Sequence, residues 1–126
     1  MPHEDGDAYF PVVATVSLGG SLVLDVTEKR KEGETKEPHR WRIIQEPRSL
    51  LLTTASAYTD TLHGIAEVTE DSDLGPKIVA NWSLLGDREL IEANGGSNKR
   101  TDRISLTYRD VKKVSNVASK LFGKTR

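Results

Sequence analysis

Short runs rich in valine, threonine and leucine, each cut off by glycine, proline or a charged loop, restrict what this chain can fold into more than any other feature. The clearest is "RISLTYRDV" at 103–111. Ile104, Leu106 and Tyr108 fall on one face, and Arg103, Ser105, Thr107 and Arg109 on the other, which is the period of a strand. "YFPVVATVSLGGSLVLDVTEK" reads as two strands, about Val12 to Leu18 and Ser21 to Glu28, joined by a tight Gly19-Gly20 turn. In the second of these, Leu22, Leu24 and Val26 alternate with Val23, Asp25 and Thr27. The charged stretch 29–40, broken by Gly33 and Pro38, reads as a solvated loop. "WRIIQEP" and "RSLLLTT" are two further strands with a turn at Glu46-Pro47. "ASAYTDTLHGIAEV" begins as a turn or short helix and ends as a strand near His63 to Val68. Residues 69–77 read as a loop, and Gly86, Gly95 and Gly96 make much of 78–102 irregular. Only the tail, with Val114, Val117, Leu121 and Phe122, has helical spacing, and Gly123 fits its end. This order predicts a mainly β fold, an antiparallel barrel or sandwich followed by a terminal helix. Six or seven strands are fewer than the roughly eight of a complete jelly roll.

The 126 residues suit one domain with a modest core. Hydrophobic residues make up 36% and charged ones 29%, the balance of a globular rather than a disordered chain. A net charge of -1 argues neither for nor against a nucleic-acid partner. The absence of cysteine excludes disulfides, thiolate metal sites and cysteine nucleophiles. No apolar run nears the roughly 20 residues of a membrane span. No apolar stretch of signal-peptide length stands before His3. The expectation is a protein of the cytoplasm or nucleus with no membrane association.

Three residues could meet as metal ligands. His3 and Asp5 form a His-x-Asp pair, whose side chains share one face of an extended segment, and His63 comes from a distant strand. Two histidines and one carboxylate make the facial triad of non-haem Fe(II) oxygenases, which leaves positions for a bidentate 2-oxo acid and dioxygen. Read one at a time, His3 is a terminal histidine and His63 a turn histidine bonded to backbone, while His39 is a solvated loop residue. Arg103 and Arg109, at i and i+6, point the same way about 20 Å apart along an extended strand. Arginine's planar fork pairs bidentately with carboxylates. One of the two could hold the far carboxylate of 2-oxoglutarate, and the other could steady Asp5 or the near carboxylate. As surface arginines on an edge strand they would do neither.

"PHEDG", "VSLGG", "SLLLTTASAYTDTLHGI" and "RISLTYR" follow one another in this order. With them, residues 1 to 111 resemble the AlkB family of Fe(II)- and 2-oxoglutarate-dependent dioxygenases, most of all its homologue-six subfamily. The resemblance implies a partial double-stranded β-helix (jelly-roll) barrel over 1–111, with 112–126 as a basic C-terminal helix or tail. It implies that His3, Asp5 and His63 are the catalytic Fe(II) ligands. Arg103 matches the arginine that binds the distal carboxylate of 2-oxoglutarate, Arg109 the second arginine of that strand, and Ser17 a serine of the cofactor-binding barrel. Tyr58 and Thr59 match the turn that presents His63. The activity implied is oxidative demethylation of alkylated DNA or RNA. It consumes 2-oxoglutarate and dioxygen, is supported by ascorbate, and releases succinate, carbon dioxide and formaldehyde.

Members of that family carry a long segment before the His-x-Asp pair. By resemblance this chain therefore corresponds to the C-terminal part of the family fold, and an open sheet edge and an uncovered apolar face are expected. A second reading follows from the same point: a scaffold or binding module that keeps the fold without a competent site. A cupin-like metal-binding barrel is a third, against which the paired arginines argue. Residues 69–101 take no assignment from the resemblance. The tail sets Lys112, Lys113, Lys120, Lys124 and Arg126 against Asp110. It reads either as a phosphate-contacting segment or as a solvated helix packing its apolar stripe on the barrel. Trp41 and Trp82 read as core residues before base-stacking ones.

Overall fold

The computed structural model describes residues 1–113, and the expected C-terminal helix lies outside them. In chain order the elements are β1 (Tyr9–Gly19), β2 (Leu22–Glu28), β3 (Arg40–Gln45), β4 (Ser49–Thr54), α1 (Ala55–Thr59), β5 (Thr61–Gly64), β6 (Glu70–Asp71), a 3₁₀ turn (Trp82–Leu84), α2 (Arg88–Ala93), β7 (Asn98–Lys99) and β8 (Arg103–Val111). The fold is mainly β. Two antiparallel three-stranded sheets run in the orders β4-β1-β8 and β3-β2-β5, and β6 and β7 form a short ribbon. The strand expected at His63 to Val68 is shorter and earlier, at Thr61–Gly64.

Gly19-Gly20 is not the hairpin turn that the sequence predicts. β1 and β2 belong to different sheets and do not pair. Both glycines let the start of β8 pass close by. A Cβ on Gly19 would sit 2.5 Å from the Asp102 carbonyl oxygen, and one on Gly20 would sit 2.9 Å from that of Thr101. Gly20 N–H donates to the Asp102 carbonyl at 2.7 Å, and Gly19 takes φ 80°, a conformation open mainly to glycine. The link is thus a crossover between sheets. The chain crosses back after β3 at Glu46-Pro47-Arg48, where Arg48 N–H donates to the Ser17 carbonyl at 2.7 Å, and again after β4 through α1.

The inward faces of the two sheets enclose a pocket. From one sheet it is lined by Val13, Thr15, Ser105 and Thr107, and from the other by Leu24, Val26 and Ile43. Register fixes the first set: Val13 lies opposite Arg109, Thr15 opposite Thr107 and Ser17 opposite Ser105. β8 therefore turns its polar face inward and its apolar face out.

The outer faces differ. Val23 and Ile44, on the back of β3-β2-β5, join Leu74, Val79, Trp82, Leu85 and Ile91 in the buried hydrophobic cluster. The segment 69–101, which has little regular structure as expected, thus supplies most of the core. It also closes the edge of β3. Asn81 accepts from Ile44 N–H at 3.0 Å and donates to the Ile44 carbonyl at 2.8 Å, and Ala80 N–H donates to the Arg42 carbonyl at 2.8 Å. Glu46 accepts from the N–H groups of Gly86 and Asp87 at 2.9 and 2.8 Å. A buried ion pair, Arg100 to Asp71 at 2.6 Å, fastens the ribbon. The back of β4-β1-β8 has no such cover among the described residues: Leu50, Leu52, Ile104 and Tyr108 are 57–63% exposed. Trp82 is a core residue, and Trp41 packs against His39 with ring centroids 4.3 Å apart and the planes tilted by 59°.

Candidate active site

The pocket between the sheets has a volume of about 280 Å³, and His3, Asp5, His63, Arg103 and Arg109 all line it. Ser17 stands behind Arg103.

At one end the first residues of the chain extend the sheet beyond β5. His3 N–H donates to the His63 carbonyl at 2.9 Å, and His63 N–H donates to the His3 carbonyl at 3.0 Å. Residues exchanging both hydrogen bonds are directly opposite and project their side chains on one face. The two imidazole centroids are accordingly 4.6 Å apart. A Cβ on Gly64 would lie 3.2 Å from the Pro2 Cα, so glycine lets the segment close against β5. Asp5 comes two residues after His3, and its side chain is only 8% exposed. Arg109 Nε donates to Asp5 Oδ1 at 2.7 Å, and Nη2 contacts the same oxygen. Arg109 also lies over the Tyr9 ring, 5.7 Å from its centroid. Tyr58 on α1 donates its hydroxyl to the Gly6 carbonyl at 2.7 Å and so pins the loop that carries Asp5. Burial lowers the His63 pKa below its ordinary value, and the attraction of Asp5 offsets this only in part. The neutral ring that results is the form that binds a metal.

At the other end, Arg103 Nη2 donates to Ser17 Oγ at 2.8 Å and to Gln45 Oε1 at 2.5 Å. Ser17 and Gln45 are buried. Both acceptors are neutral, and Arg103 Nε is buried with no hydrogen-bond partner. Burial lowers the Arg103 pKa, as expected of a guanidinium with no anion beside it. A part-buried cation with no counter-charge among the described residues is costly, and an anionic ligand would relieve that cost. Gln45 is the pocket residue that the sequence reading missed. The available signal was a polar residue sharing the inward face of β3 with Ile43.

Two imidazoles and a carboxylate in one pocket suit Fe(II) by kind of donor. Among the described residues, no group of three such side chains is drawn together closely enough to hold a metal as it stands. Asp5 Oδ1 faces Arg109 instead.

The sequence matches no protein-family model. It is 33% identical over 120 residues to a zebrafish (Danio rerio) protein named "Probable RNA/DNA demethylase ALKBH6". The alignment takes in 90% of this chain and 48% of that protein, so the chain spans about half the length of this relative. The similarity runs through nearly the whole of this chain.

Proposed function

We propose that this chain carries the cofactor-binding half-site of an AlkB-type dioxygenase of the homologue-six kind, one that demethylates alkylated DNA or RNA. The reading rests on a single arrangement: an unneutralised arginine at one end of a pocket and two histidines with an aspartate at the other. A dicarboxylate that also chelates through a 2-oxo group, as 2-oxoglutarate does, has the chemistry to use both ends. Fe(II), held by His3, Asp5 and His63, would supply with dioxygen the oxidising power to hydroxylate a methyl group on a base nitrogen. Arg103 binds and orients the distal carboxylate. Arg109 holds the Asp5 carboxylate in place, and Tyr58 holds its loop. Leu24, Val26 and Ile43 give the pocket an apolar wall on the β3-β2-β5 side. The resemblance to a relative named as an RNA/DNA demethylase supports a nucleic-acid substrate.

The engagement of Asp5 by Arg109 favours a second reading, a binding module that takes the dicarboxylate without turning it over. Calorimetric titration with Mn(II) under anaerobic conditions decides the metal site. Asp5→Ala should bind at least about tenfold more weakly, or about 1.4 kcal/mol. Equal affinity would remove Asp5 from the ligand set. Succinate release with Fe(II), ascorbate and a methylated oligonucleotide then separates enzyme from module.

A further inference from the structure

We propose that Gln45 is a second carboxylate-binding residue, whose side-chain NH₂ group works beside Arg103 and makes the pocket select a carboxylate over a carboxamide. This deepens, and rests on, the reading that the pocket takes a dicarboxylate. Arginine has donors only, so its 2.5 Å contact with Gln45 fixes which end of the amide faces it: Oε1 must. Ser17 points the same way. Its hydroxyl accepts from Arg103 at 2.8 Å and donates to Gln45 Oε1 at 3.4 Å. The amide oxygen is thus committed twice, and the NH₂ group is what remains. Gln45 is 4% exposed and lines the pocket, and its NH₂ group has no hydrogen-bond partner among the described residues. That donor lies beside the part-buried guanidinium of Arg103, whose buried Nε likewise has no hydrogen-bond partner among the described residues.

With the acceptors here already engaged by Arg103, the groups left over at this end, Arg103 Nε and the Gln45 NH₂, are donors. A carboxylate, which only accepts, satisfies both. A carboxamide brings its own NH₂ against donors and leaves one of them unpaired. The neutrality of glutamine matters equally. A glutamate of the same size would pair with Arg103 internally and present negative charge to the ligand.

The test is binding of 2-oxoglutarate to the Mn(II)-loaded 126-residue chain, measured by calorimetry for the wild type, Gln45→Glu and Gln45→Met. Gln45→Glu should raise the Kd about 100-fold and Gln45→Met about tenfold, with Mn(II) affinity unchanged. The wild type should bind the 5-amide of 2-oxoglutarate about tenfold more weakly than 2-oxoglutarate itself, and Gln45→Met should narrow that gap. If the wild type binds 2-oxoglutarate and both variants bind it equally well, Gln45 is a structural residue and the inference fails while the dicarboxylate reading stands. Parallel loss of Mn(II) and 2-oxoglutarate binding in both variants also overturns it. If Gln45→Glu does not fold, Gln45→Met and the amide comparison decide. A wild type that binds no 2-oxoglutarate removes the dicarboxylate reading and this inference with it.

Discussion

His63 is half-buried and faces His3, so protonating it in the folded state is unfavourable. In the unfolded chain it would titrate near the ordinary 6.5. The unfolded state therefore takes up a proton first as the pH falls. The stability of the metal-free chain should drop below about pH 6.5 and go on dropping until the folded-state pKa is passed. Urea midpoints measured from pH 7.5 downward should show this slope, and His63→Gln should flatten it. An unchanged slope would mean that other groups set the acid limit. His63 was legible in the sequence because histidines and a His-x-Asp pair are rare enough to be noticed singly. Arg103 and Arg109 were legible because strand period alone puts them on one face. Gln45 was not. It is an uncharged residue in an ordinary strand, and its meaning comes from meeting Arg103 across 58 positions of chain.

At the scale of elements, side chains replace missing strands. β3 is an edge strand, and Asn81 offers it one donor and one acceptor in the way a neighbouring backbone would. Asn81→Leu keeps the approximate size but leaves the N–H and carbonyl of Ile44 unpaired and partly buried. It should cost about 1–3 kcal/mol in urea unfolding. A loss within error of zero would mean that water replaces both bonds. Residues 69–101 resist a sequence reading for the same reason. They have almost no periodicity, and they are held by contacts such as Asn81 to Ile44 and Glu46 to Gly86 that no local pattern announces. Gly19-Gly20 illustrates a related limit. A hairpin and a crossover ask for the same residues, and only the remote backbone of Thr101 and Asp102 distinguishes them.

Across the whole molecule, burial is lopsided. The hydrophobic cluster lies behind β3-β2-β5, whereas among the described residues the back of β4-β1-β8 is exposed. Local stability should follow. In native-state hydrogen exchange, the amides of β8 should open at a free energy about 1 kcal/mol or more below those of β2 and β3. Identical values would show that the sheets unfold as one unit. The mainly β class was legible from alternation, but the assignment of strands to sheets was not, since it depends on which faces find cover. The pairing of β1 with β8 joins Tyr9 to Val111 and Gly19 to Arg103. Pairing residues so distant in sequence carries a large loop-closure cost before any contact rewards it. Both arginines of the pocket ride on that strand, which also leaves the ribosome after every other strand described here. A chain caught part-way to its final form thus carries the histidines and Gln45 but lacks positive charge between its sheets. On the proposed function, affinity for the dicarboxylate requires β8 to be in place, so a bound dicarboxylate would report that this last strand has docked.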